Sequence, residues 1–198
     1  FDRHAFVGGN LGTPYCQCAI DVLEGKPAPR VAVLELSSYQ LETIAHVSFA
    51  AAVVTNLTPD HLDRYENAAQ YYAAKGRLLA LVDEDGGIAL NASDPASGEH
   101  LAPLASRLQG MRARCDFDVS TGMEGVAIVE GPARRLVVQR GAKALRRVVG
   151  VVAVTNPNIV GHHNRQNAAA AVAGAALAGI PRAAWQRVPG FTCRAMSA

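Results

Sequence analysis

No apolar run in the 198-residue sequence reaches the roughly 18 residues that a membrane-spanning helix requires, so no membrane partner is expected. Excess charge of one sign is equally scarce. Nineteen Lys and Arg stand against 17 Asp and Glu, and a net charge of +2 is too small to argue for a nucleic-acid partner. The densest basic stretch is Arg134, Arg135, Arg140, Lys143, Arg146 and Arg147. It alternates with apolar residues and has no interleaved aromatics, which reads as the solvated face of a hairpin. Cysteine is sparse. Cys16 and Cys18 form a C-x-C pair, but with Cys115 and Cys193 alone elsewhere, no second pair follows at zinc-ligand spacing. All four read as reduced cytosolic thiols. The opening FDRHAFVGGN has neither an initiator Met nor a signal-peptide pattern, which predicts a natural chain that begins earlier and a cytoplasmic location. Also absent is any G-x-x-x-x-G-K-[ST] phosphate loop.

What is present is an ordinary globular composition, 49% apolar and 18% charged, long enough for one full core or one domain with an appendage. Two short runs, Val31–Leu36 (interrupted only by Glu35) and Ala50–Val54, are continuous stretches of apolar residues rather than alternating ones. That pattern predicts central strands of a parallel sheet, buried on both faces. Helices are expected over Tyr15–Leu23, ended by Gly25 and the following prolines, over Asn67–Val82, near Glu99–Arg107, and from Asn164 to Leu177 before Gly179 and Pro181. A strand is expected at Gly87–Asn91. From 113 to 155 the short runs Val126–Val129, Leu136–Gln139 and Val148–Val154 predict antiparallel hairpins. The fold class is α/β: a mostly parallel sheet flanked by helices, with a small antiparallel patch.

Four clusters have side chains suited to chemistry. Glu35, in E-L-S-S-Y-Q-L-E, ends the first strand, and N-L-T-P-D-H-L-D-R-Y follows the second, bringing Asn56, Thr58, Asp60, His61 and Asp63. Ligands of open parallel sheets sit beyond the carboxyl ends of the strands, and oxygen donors with one imidazole suit Mg2+ or Mn2+. The plainer reading makes Thr58 an N-cap, with Pro59 at the first helical position and Asp60 on the helix dipole. Lys75 shares a helical stripe with Tyr71, Leu78 and Val82 and should point inward. A buried amine can be neutral and can form a carbamate, or the lysine can simply snorkel outward. In G-H-H-N-R-Q-N, Asn164 and Asn167 are three apart, so they share one face of a first helical turn. Two carboxamides can match a purine edge, or Asn164 can serve as a cap. G-G-N-L-G-T-P at 8–14 allows close backbone approach to an anion, or is a plain turn.

Taken together, GGNLGTP (8–14), LELSSYQLE (34–42), TNLTPDHLDRY (55–65), YYAAKGRL (71–78) and GHHNRQNAAAA (161–171) resemble the muramyl ligase family in order and spacing. SSYQLE followed by DHLDRY points to its D-glutamate-adding branch. The resemblance implies a P-loop-type central domain that uses ATP and Mg2+. It implies that the carboxylate of UDP-N-acetylmuramoyl-L-alanine attacks the γ-phosphate of ATP, and that the amine of D-glutamate displaces phosphate from the acyl phosphate. On that resemblance Glu35 and His61 are Mg2+ ligands, and Lys75 is carbamylated and helps hold metal. Asn164 and Asn167 contact the adenine nucleotide, and Asn10, Ser37 and Gln40 face the UDP-muramoyl substrate. The family's Pro-His-Arg near its last domain is here Thr192, Cys193 and Arg194, so Arg194 stands as the nucleotide contact without its His neighbour.

The resemblance further implies that residues 1–184 are part of a central ATP-binding domain lacking its phosphate loop, and that 185–198 form a junction toward a further domain. The isolated chain is therefore expected to be catalytically inactive. An exposed sheet edge predicts self-association. Other readings are a sister ligase such as a folylpolyglutamate synthase, a non-enzymatic nucleotide- or partner-binding module, and a metal-dependent hydrolase built on Glu35, Asp60, His61 and Asp63.

Overall fold

The computed structural model describes residues 5–60, 63–108, 113–120, 123–129, 135–140, 147–154, 161–181 and 191–194. The chain forms two compact units, Phe1–Ala45 and His46–Ala198.

In the first unit, β1 (Ala5–Gly9) lies parallel to β2 (Val31–Glu35), with Ala5 opposite Val31 and Gly9 opposite Glu35. Parallel neighbours need a crossover, and α1 (Tyr15–Leu23) supplies it over the predicted residues. A short helix, α2 (Ser38–Thr43), follows β2. The expectation of a strand buried on both faces fails here. Ala32, Val33 and Glu35 are exposed, because among the described residues of this unit β2 has one strand neighbour and a single crossover helix. Val33 alone is 56% exposed.

The second unit holds two sheets. β3 (Phe49–Val54), β4 (Val82–Leu90) and β5 (Ala113–Arg114) are parallel, in the order β3-β4-β5. β4 starts five residues before the predicted Gly87, since Val82 is buried against the same core. β6 (Phe117–Val119), β7 (Gly125–Val129), β8 (Arg135–Arg140), β9 (Arg147–Val154) and β10 (Phe191–Arg194) form a second sheet in the order β10-β9-β8-β7-β6. The β7, β8, β9 and β10 pairings are antiparallel, as the hairpin texture predicts, whereas β6 joins β7 in parallel and β5 belongs to the first sheet. The basic side chains of 134–147, read as a hairpin face, lie outside the described residues.

Alternation along the parallel strands sets two cores. Ala52, Val54, Ile88 and Leu90 pack with Tyr71, Tyr72, Ala74 and Leu79 of α3 (Ala68–Ala80) and with Leu101 and Ala105. Leu101 closes a π-helical turn, Ser97–Leu101, that runs into α4 (Ala102–Leu108), so the helix predicted near Glu99–Arg107 is two helical types in series. Val53 and Ala89 face the other way, toward Ala168, Ala169, Ala170, Val172 and Ala173 of α5 (His162–Leu177). Full burial of side chains such as Leu79, Ile88 and Leu90 stabilises the fold by about 1.5–3 kcal/mol each. The alanine run in α5 gives little area per residue but lets helix and sheet approach closely. At Gly174 a Cβ would stand 2.9 Å from Val53 Cγ2. Among the described residues, no helix is long and apolar enough to cross a membrane.

Candidate functional site

In the first unit the glycine-rich turn folds against the end of β2. The Asn10 amide donates to the Glu35 carbonyl at 2.8 Å, and the Gly9 amide donates to the Thr13 carbonyl at 2.9 Å. Gly9 sits at φ +122°, and any Cβ there would lie 2.2 Å from the Glu35 carbonyl oxygen, so the close approach requires glycine. Asn10 and Glu35 are thus brought together through the backbone, both with exposed side chains.

Ser37 and Gln40 form a capping box at the start of α2. The Ser37 amide donates to Gln40 Oε1 at 2.9 Å, and the Gln40 amide donates to Ser37 Oγ at 3.3 Å. Both candidate substrate-facing residues therefore also hold the helix start. Between them Ser38 is 1% exposed, and its buried hydroxyl has no hydrogen-bond partner.

In the second unit, a polar network runs along the carboxyl ends of β3, β4 and β6. Asn91, immediately after β4 and 4% exposed, donates through Nδ2 to the Thr55 carbonyl after β3 at 3.0 Å. Its Oδ1 accepts from the Ser93 amide at 3.0 Å and the Ser93 hydroxyl at 2.9 Å. Asp94 Oδ2 accepts from the Leu57 amide at 3.0 Å and from both the amide and hydroxyl of Ser97. The Thr55–Leu57 segment that leads into the D-H-L-D stretch is thereby tied down from the β4 end. Asn56–Asp60 adopts no helix, so the capping reading of Thr58 is not realised, and Asp60 and Asp63 are exposed. His61 lies outside the described residues.

The network continues to α5. Ser93 Oγ donates to Asp118 Oδ2 at 2.5 Å, and Gln166 Nε2 donates to the same oxygen at 2.8 Å and to Ser93 Oγ at 2.9 Å. His162 Nε2 lies 3.1 Å from that carboxylate oxygen. A serine, a carboxylate and a histidine together invite comparison with a nucleophilic triad, but here the carboxylate takes the serine proton bond directly. A base–nucleophile contact between imidazole and hydroxyl, which a triad needs, is not the arrangement. α5 starts two residues earlier than expected because Gly161, not Asn164, is its N-cap. Asn164 is therefore inside the helix, and both it and Asn167 are exposed on adjacent turns. The capping alternative for Asn164 falls away, leaving two carboxamides at one end of a helix that the Asp118 network anchors.

Lys75 is half-buried on α3, with its ammonium 5.8 Å from the Tyr71 ring centroid, within cation–π reach. The side chain of Arg194, on β10, lies outside the described residues. Among the described residues no three His, Cys, Asp or Glu side chains gather as a metal site. Cys16, Cys18 and Cys115 are free thiols. Asn91, Ser93, Asp94, Asp118 and Gln166 escaped the sequence reading. N-A-S-D directly after an apolar run was the available signal, the same strand-end rule that singled out Glu35.

A family profile described as the Mur ligase middle domain matches residues 20–175. Among curated proteins, the UDP-N-acetylmuramoylalanine--D-glutamate ligase of Anaeromyxobacter dehalogenans is 39% identical over 184 residues, 93% of this chain and 38% of that protein. The ligase of the same name from Symbiobacterium thermophilum is 34% identical over 186 residues, 94% of this chain and 38% of its own. The chain thus spans well under half the length of these relatives. Among solved structures, MurF from Acinetobacter baumannii superposes over 98% of this chain and 46% of its own, with a TM-score of 0.56 and 17% identity. The UDP-N-acetylmuramate:L-alanyl-gamma-D-glutamyl-meso-diaminopimelate ligase of Neisseria meningitides covers 89% of this chain and 62% of its own, with a TM-score of 0.53 and 18% identity. At those identities the solved structures speak for the α/β fold alone.

Proposed function

The chain belongs to the Mur ligase family, as its middle domain, and from that premise we propose that the protein carrying it joins D-glutamate to UDP-N-acetylmuramoyl-L-alanine, converting ATP to ADP and phosphate, in cytoplasmic synthesis of a peptidoglycan precursor. The observation that carries the reading is the polar network at the carboxyl ends of β3, β4 and β6, which anchors the start of α5 where Asn164 and Asn167 are exposed. Strand carboxyl ends are where open α/β sheets bind nucleotides and substrates. Curated relatives bearing one name at 34–39% identity support D-glutamate as the acceptor.

Each residue then has a proposed part. Asn164 and Asn167 hydrogen-bond the adenine edge, and Arg194 contacts the nucleotide. Asn10, Ser37 and Gln40 face the UDP-muramoyl substrate, with the Ser38 hydroxyl beside them. Glu35, His61 and Lys75 are each proposed as donors to Mg2+, which when bound would offset the charge of the transferring phosphoryl group. The donor chemistry fits on one condition. An ammonium cannot ligate a cation, so Lys75 must carry a carbamate to supply oxygen. A carboxylate oxygen of the muramoyl substrate bonds to the γ-phosphorus as ADP leaves. The D-glutamate nitrogen then bonds to the acyl carbon, and phosphate departs with the former carboxylate oxygen and the amine's proton goes to solvent.

The test is phosphate release by the protein that carries this chain, supplied with ATP, Mg2+, UDP-N-acetylmuramoyl-L-alanine and one amino acid at a time. Release should depend on D-glutamate. Stimulation by another amino acid alone would move the assignment to a sister ligase, and amino-acid-independent hydrolysis would overturn it. Asn164→Ala and Asn167→Ala should each raise KM for ATP by about 5- to 150-fold, for a lost hydrogen bond of roughly 1–3 kcal/mol. The isolated chain is proposed to release no phosphate.

A further inference from the structure

The geometry points to Asp118 as a positioning residue for nucleotide binding: one carboxylate oxygen locks the first turns of α5 onto the ends of β4 and β6, and so sets where Asn164 and Asn167 stand. The inference rests on the nucleotide reading of those two asparagines. Three side chains converge on Asp118 Oδ2. They are Ser93, from the segment after β4, and His162 and Gln166, from the first two turns of α5. Gln166 also donates to Ser93, which closes a ring across the two elements. Asp118 is 12% exposed at its side chain, and Ser93 and His162 reach it from exposed positions. Gly161 caps α5 without a side-chain bond, so the helix start takes its hold from this network.

The backbone carries the second mark. Among the described non-glycine residues, Asp118 alone has positive φ, at 55°. An L-residue in that region is strained unless the surroundings impose it, and Asp is among the types that enter it at least cost. A residue kept only for the turn would be better as glycine. The carboxylate is therefore the part of Asp118 that the site uses, and Asp118→Gly separates the two roles: it relaxes the backbone and deletes the lock.

The experiment compares the unchanged protein with Asp118→Gly and Asp118→Asn. Amide hydrogen exchange is read across α5 without ligand, and KM for ATP and kcat are measured in the ligase assay. Asp118→Gly should lower the thermal midpoint by a few degrees at most, because the relaxed backbone offsets part of the three lost hydrogen bonds. Protection should fall at 162–167 and persist at 168–177, and KM for ATP should rise about tenfold or more. Asp118→Asn keeps an acceptor oxygen and tolerates the turn, so it should restore most of both losses. Unchanged protection at 162–167 in Asp118→Gly would overturn the lock. Lost protection with an unchanged KM for ATP would overturn its role toward nucleotide. An unchanged protein without ATP-dependent activity would instead refute the ligase reading and take the nucleotide role with it, while the exchange data would still decide the lock.

Discussion

Replacing Asn91 by alanine should loosen the segment between β3 and the D-H-L-D stretch more than its single position implies. The side chain is 4% exposed and makes three hydrogen bonds, one donated to the Thr55 carbonyl and two accepted from Ser93. A typical net contribution is about 1 kcal/mol per bond, and a partner left dry costs more. Thr55 and Ser93 are exposed residues, so water can reach the groups set free and the penalty stays near that net value. The sum is roughly 3 kcal/mol. For a domain of this size it corresponds to a fall in thermal midpoint of about 6–12 °C. Urea denaturation followed by circular dichroism gives the free energy, and hydrogen exchange at Leu57 shows whether the loosening is local. Exchange there should accelerate before global unfolding, because Leu57 is also held by Asp94 from the same strand end. A loss below about 1 kcal/mol would refute the view that this network is a fixed part of the site.

Gly9→Ala should damage the first unit selectively. The new methyl would lie 2.2 Å from the Glu35 carbonyl at a φ of +122°, so backbone strain and a broken Asn10–Glu35 contact add to about 2–4 kcal/mol. Limited proteolysis should then cut within residues 5–35 first. At the C-terminal end of α1, the Lys26 side chain donates to Asp21 at 2.8 Å and holds the Asp21 carboxyl below its usual pKa, with Gln17 adding a second bond. A lowered carboxyl contributes stability above its unfolded pKa and loses it as pH falls through the folded one. Lys26→Met should therefore raise the Asp21 titration midpoint in a carbon-detected NMR titration, and an unmoved midpoint would refute the assignment.

Local chemistry made part of this fold readable in advance. Gly25 and the prolines after it end α1, and short apolar runs separated by glycine and charged residues mark β7, β8 and β9. The burial of β2 and the limits of β4 and α5 depend on neighbours distant in sequence, and there expectation and structure differ. β2 has a run that suits two buried faces, yet one strand neighbour leaves Val33 exposed. α5 begins at His162 because a glycine caps it, against the stronger capping chemistry of Asn164. Asn10, Glu35, Asn164 and Asn167 carried recognisable motifs. Asp118 carried none: its partners are 25, 44 and 48 residues away, and its own turn lies in a stretch that reads as hairpin. Networks closed over such separations follow from the sheet order, which periodicity does not encode.

In the proposed ligation a substrate carboxylate is activated as an acyl phosphate before an amine displaces phosphate. The most direct measurement supplies the protein that carries this chain with UDP-N-acetylmuramoyl-L-alanine labelled with 18O in its carboxylate, together with ATP, Mg2+ and D-glutamate. Mass analysis of the released phosphate should show one 18O atom per turnover, transferred as the bridging oxygen. Phosphate free of label, formed alongside the ligated product, would contradict the mechanism.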